Sequence, residues 1–137
     1  MKLHNNPLSH QNTPADYILT MEIYNNLHCF LVECKQVTCK EGKGRLAFKR
    51  LKQLHDLLAF HERSVYHESY FCIGFYDNGW QKGEIYMVSV RYMERIIENF
   101  SKVSINRNEA KNYFSNYKAE LKTGGVVDLW KTLKSLK

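Results

Sequence analysis

The chain predicts a small mixed α/β (α+β) domain with a central sheet flanked by helices. Two stretches of β-formers, each folded about a short turn signal, read as hairpins over about 17–37 and 70–90. Segments with apolar residues at helical spacing follow each of them. The length of 137 residues and a hydrophobic content of 44% suit one folded domain with a modest core. Hairpin, helix, hairpin and then helices is the order expected of helices packed on a mixed sheet.

Residues 1–13 are polar, hold His4, Pro7 and His10, and contain no carboxylate. They read as a flexible arm. Thr13-Pro14-Ala15-Asp16 punctuates the start of the fold, which spans 14–137 as one domain. Tyr17 to Tyr24 is rich in β-formers, Asn25-Asn26 is a turn signal, and Leu27 to Val37 forms the second strand. Within it Cys29-Phe30-Leu31-Val32 is apolar on both faces and leads into Glu33-Cys34-Lys35. Alternation puts Glu33 and Lys35 on one face and Cys34 on the other. The strands of a tight hairpin run antiparallel, so Asp16 should lie beside Glu33.

Thr38 to Arg45 reads as a flexible basic loop, and a helix is expected from about Leu46 to about Glu62, with Ala47, Leu51, Leu54 and Leu58 on its apolar side. Lys40, Lys43, Arg45, Lys49, Arg50 and Lys52 place six cations in thirteen residues against the single Glu41. Glycines in such a loop let backbone approach a phosphate closely. Tyr70 to Tyr76 and Glu84 to Val90 form the second hairpin about Asp77–Gly83, and Arg91 to Phe100 a helix. That ends a core of about 14–100. A helical extension over about 104–137 follows. It opens on a capping-box pattern, Asn106-x-x-Glu109, with a helix to about Leu121, a stop at Gly124-Gly125 and a last helix from Val126.

The formal net charge of +6 and a pI of about 9.1 point to an anionic partner, of which nucleic acid is the commonest. No stretch approaches the ~20 apolar residues of a membrane span, and the N-terminus lacks a signal-peptide run. A cytoplasmic protein without a membrane partner is expected. Cys29, Cys34, Cys39 and Cys72 form no CxxC pair, so reduced, mostly buried thiols are expected rather than a zinc or iron–sulfur site.

An acid and an amine side by side at the end of an apolar strand need partners if buried. Asp16 and Glu33 can hold Mg²⁺ through carboxylate oxygens, with the backbone carbonyl of Cys34 as a further ligand. Such a cation polarises a phosphodiester and lowers the pKa of bound water. Lys35 is placed to orient that water or to stabilise developing charge. The constellation reads as metal-assisted phosphodiester hydrolysis, with the basic run from Lys40 to Lys52 on the DNA backbone.

The pattern Pro14-Ala15-Asp16 … Glu33-Cys34-Lys35 resembles the signature of the PD-(D/E)XK nuclease superfamily. Thr13-Pro14-Ala15-Asp16-Tyr17, the acid-x-lysine strand and Gln53 early in the following helix are similar to the RecU-type Holliday-junction resolvases, over about residues 13–100. The resemblance implies a restriction-endonuclease-like core, with Asp16 and Glu33 on metal, Lys35 serving the attacking water and Gln53 supporting the site. It further implies a homodimer acting on branched DNA in recombination and repair, with Mg²⁺ and with Mn²⁺ able to substitute. The short chain would suit a phage or mobile element acting in a bacterial cell. Family members carry a helix before the first strand, often with another acid, where this chain has the arm. Three alternatives stand beside this reading. One is a non-catalytic nucleic-acid-binding module on the same fold, and another a nuclease acting on linear DNA. The third is a structural or regulatory protein whose charge pair, Glu33 and Lys35, is merely a salt bridge.

Overall fold

The computed structural model describes residues 15–41, 43–77, 83–120 and 128–135. The N-terminal arm, Thr13-Pro14, most of the second turn and Gly124-Gly125 lie outside them. The chain is mixed α/β, with a five-stranded sheet ordered β1-β2-β4-β5-β7. β1 (Tyr17–Ile23) and β2 (Asn26–Cys39) form the first hairpin, and β4 (His67–Asp77) and β5 (Gly83–Ser89) the second. β2 and β4 are parallel, and the other pairings, including β5 with β7 (Lys118–Ala119), are antiparallel. Parallel neighbours need a crossover, which α1 (Leu54–His61) supplies.

The first turn is Tyr24-Asn25, with φ of 50° and 67°, closed by the pair Ile23↔Asn26. Two successive left-handed residues make the primed turn whose twist matches a hairpin. Both faces of β2 are covered, as its unbroken apolar run requires. Leu31, Val37, Phe71, Ile73 and Phe75 meet Leu57 of α1, Met93 and Ile96 of α2 (Val90–Asn99), and Ala110 and Phe114. On the other face Leu19, Met21, Phe30, Val32, Tyr70 and Met87 pack with Leu133 of α4 (Leu129–Ser135). Gly74 is required within β4 because a Cβ there would meet the Tyr76 ring at 2.3 Å.

The expected helix from Leu46 to Glu62 is corrected. Arg45–Ala47 form a strand, β3, and Phe48–Arg50 a 3₁₀ turn, so the helix starts only at Leu54. β3 pairs with β6 (Ser104–Asn106), Leu46 opposite Ile105. That ladder, and the burial of Leu46 and Ile105, override the helical spacing of the apolar residues. The all-helical extension is corrected in the same way: β6 precedes α3 (Arg107–Tyr113), which stops where Phe114 is buried against Tyr86. Residues 115–117 form a 3₁₀ turn and β7 returns to β5. The capping box forms, with Glu109 N–H donating to Asn106 Oδ1 at 2.7 Å and Asn106 N–H to Glu109 Oε1 at 2.9 Å.

The loop after β2 is tighter than expected. The Lys43 amide donates to the Lys40 carbonyl at 2.9 Å, and Glu41 takes a left-handed φ of 55°. Among the described residues no helix is long and apolar enough to cross a membrane.

Candidate active site

The hairpin register builds the site. Tyr17 faces Val32, so Asp16, one residue earlier, faces Glu33. Asp16 Oδ2 accepts the Cys34 amide at 2.9 Å, which anchors the start of β1 to β2. The N–H and C=O of one strand residue point to the same edge, so the Cys34 carbonyl also faces the Asp16 side. Glu33 is only 5% exposed, and β2 lies inside the sheet between β1 and β4. A surface salt bridge on an edge strand is therefore excluded.

Burial pushes the Glu33 carboxyl up to about 8, helped by a hydrogen bond to the Asp16 carboxyl and by its charge, against the pull of Lys35. A carboxyl buried against a second carboxyl does not readily ionise beside it, so the two share a proton. Lys35 lies two residues on along the same face and is half-buried.

Gln53 immediately precedes α1, and its Oε1 is buried without a hydrogen-bond partner. Two contacts fix its level in the fold. Arg50 donates to the Gln36 carbonyl at 3.2 Å, and Ser69 Oγ donates to the Leu57 carbonyl at 2.9 Å. Gln53 lies one helical turn before Leu57, about 6 Å away. Phe71, the register partner of Glu33, lies a similar distance beyond Ser69 along β4. α1 returns against β4, which carries Gln53 toward the level of Glu33.

Among the described residues no group of three or more His, Cys, Asp and Glu side chains converges. What the site offers is two carboxyls and the Cys34 carbonyl, with the orphaned amide oxygen of Gln53 toward the same level of the sheet. An all-oxygen set fits a hard cation such as Mg²⁺.

The six cations of the basic run do not form one patch. Lys40 and Lys43 sit at the far end of β2, about 17 Å beyond Lys35 at the rise of a strand. Arg45 is held elsewhere: its guanidinium donates to Ser104 Oγ at 2.6 Å, to the Ser104 carbonyl at 2.9 Å and to Glu109 at 3.1 Å. Lys102 shares that carboxylate at 3.0 Å. Arg50 is tied beside Lys35 through Gln36, with Lys49 and Lys52 exposed on the same segment.

All four cysteines are free, but only Cys39 is fully buried. Cys34 and Cys72 are register partners on β2 and β4, with their side chains on the same face of the sheet. Nothing in the sequence marks this pair, because 37 residues separate its members. The Arg107 clamp was equally hidden. Its guanidinium donates to both oxygens of Glu84, at 2.7 and 2.6 Å, and to Asp77, locking α3 to the end of the second hairpin.

No family model matches the chain, and no curated protein matches it.

Proposed function

We propose that the chain is a Mg²⁺-dependent DNA endonuclease with a restriction-endonuclease-like core, of the PD-(D/E)XK type and closest to the RecU-type junction resolvases. The observation that carries the reading is the meeting of Asp16, at the start of the edge strand, with the buried Glu33 on the strand beside it, with Lys35 on the same face. A buried carboxyl set against a second one destabilises a fold, and a catalytic cation is a reason to keep it.

Asp16, Glu33 and the Cys34 carbonyl would hold Mg²⁺, which supplies Lewis-acid polarisation of the phosphodiester and an acidified water. The Cys34 amide fixes the Asp16 carboxylate, so that ligand is pre-oriented. Glu33 would give up its shared proton to serve as a ligand. Lys35 holds its ammonium against the charge that develops on phosphorus oxygens, an interaction strongest in the transition state. Gln53 supplies a neutral amide to orient water or phosphate. Lys49, Arg50 and Lys52 dock the DNA backbone beside the site, and Lys40 and Lys43 reach a more distant phosphate. Arg45 serves the fold.

Branched DNA is the preferred substrate on this reading. Two equivalent scissile bonds lie across a four-way junction, and a two-fold dimer presents two identical sites to them. The test is cleavage of labelled four-way junction and of linear duplex, with Mg²⁺ or with EDTA. Paired nicks in opposing junction strands that need Mg²⁺ and vanish in Asp16→Asn are expected. Equal cutting of linear duplex by a monomer would keep the nuclease and remove the resolvase. No cleavage of either substrate would leave a nucleic-acid-binding module.

A further inference from the structure

We propose that Cys34 and Cys72 form a thiol–disulfide switch that disables the candidate active site when oxidised. The inference deepens the nuclease reading and rests on it for the activity it would control.

The pair is placed by the sheet. Cys34 and Cys72 are direct register partners on parallel neighbours, so both side chains leave the same face. Neighbouring strands lie about 4.8 Å apart, inside the span of roughly 4.4–6.8 Å that a disulfide bridges between Cα atoms. Both thiols are half-buried, border the core beneath α4 and are free. The pairing is selective. Cys29 faces His67 and Cys39 faces Asp77 in the same ladder, so neither has a thiol opposite it.

The chemistry balances with a small-molecule disulfide, such as oxidised glutathione, as oxidant. One thiol displaces half of it, giving a mixed disulfide and a released thiol. The second thiol then displaces the other half. One S–S bond is broken and one formed, the oxidant takes up two electrons, and the two thiol protons leave with the released thiols.

Closure acts on the site through one atom. Cβ atoms in a disulfide come to about 3.5–4.5 Å, closer than the strand spacing. The bond therefore draws Cys34 toward β4. β1 lies on the opposite side of β2, so Cys34 is drawn away from Asp16, whose carboxylate its amide holds at 2.9 Å. Glu33 and Lys35 flank the displaced residue. A bridge strained in this way is easily reduced, as a reversible switch requires.

The experiment treats the full reduced chain with oxidised glutathione. It reads thiol pairing by peptide mass mapping, exchange of the Cys34 amide by NMR, and DNA cleavage with Mg²⁺. A Cys34–Cys72 peptide is expected, with faster Cys34 amide exchange. Cleavage should fall about a hundred-fold, the loss a displacement of about 1 Å at reacting groups can cause. Dithiothreitol should reverse all three. Cys72→Ser, or Cys72→Ala should the first fold poorly, should cleave normally and ignore the oxidant. The switch is refuted if the Cys34–Cys72 bridge does not form, or forms without changing Cys34 exchange. It is equally refuted if oxidation inactivates the Cys72 variant. Pairing and exchange are read without DNA, so a reduced protein that cuts nothing would sink the nuclease reading while those two measurements still decide the coupling to Asp16.

Discussion

Replacing Glu33 by Gln should stabilise the metal-free fold, and the gain should grow with pH. Glu33 is 5% exposed and titrates at about 8, against an ordinary 4.5. The folded chain keeps a proton that the unfolded chain releases as pH rises past 4.5, so folding becomes less favourable across the window from 4.5 to about 8. Each pH unit in that window costs about 1.4 kcal/mol. The loss reaches about 3 kcal/mol by pH 7 and levels off near 5 kcal/mol above pH 8, as an upper bound. Gln keeps the shape, can still hydrogen-bond to Asp16 and has no proton to lose. Urea unfolding in EDTA from about pH 5 to pH 9, wild type beside Glu33→Gln, isolates the effect from other titrating groups. The difference should be near zero at the acid end and a few kcal/mol in favour of the variant at the alkaline end. Mg²⁺ at about a hundred times its Kd should return roughly 2.7 kcal/mol to the wild type and little to the variant. A difference that does not change with pH would mean that Glu33 is ionised in the folded protein, and the shared proton would be wrong.

Lys35→Ala should bind DNA with near-normal affinity and lose most of its turnover, seen by comparing gel-shift affinity with single-turnover rates; an equal fall in both would make Lys35 a phosphate anchor. Neutralising Lys49 and Lys52 together should flatten the salt dependence of binding by about two units of log–log slope, one per lost phosphate contact. Arg45→Gln should leave that slope in place and lower the melting temperature instead, since its guanidinium is held by Ser104 and Glu109. Arg107→Leu strands Glu84 and Asp77 in a half-buried cluster and should cost about 2–3 kcal/mol in denaturant unfolding; an unchanged midpoint would show that the clamp contributes nothing to stability.

The parts of the fold that are local in sequence were legible. Both hairpins and α2 follow from alternation, turn residues and helical spacing within windows of about twenty residues. The approach of Asp16 to Glu33 follows as well, because a tight turn fixes which residues face each other. β3, β6 and β7 were not legible. Leu46 finds Ile105 across 58 intervening residues, and Leu46 and Leu51 are buried in the same core whether their segment is coiled or extended. Helical spacing alone cannot separate those cases. The basic run misled for a related reason. Composition counts charges but not their partners, and Arg45 is matched to Glu109 by a contact that exists only after β3 meets β6.

The turn at Tyr24-Asn25 governs a part of the molecule it never touches. It has no slack: two residues close the loop, and every pair from Ile23↔Asn26 to Tyr17↔Val32 is counted from it. A single residue added to β1 alone must either bulge out or send Asp16 to the opposite face of the sheet, away from Glu33. A residue added to each strand lengthens the hairpin and leaves Asp16 against Glu33. The arms of this hairpin are therefore free to grow or shrink during divergence, but only in matched steps. Chains that keep the site should differ in the spacing between Asp16 and Glu33 by even numbers of residues.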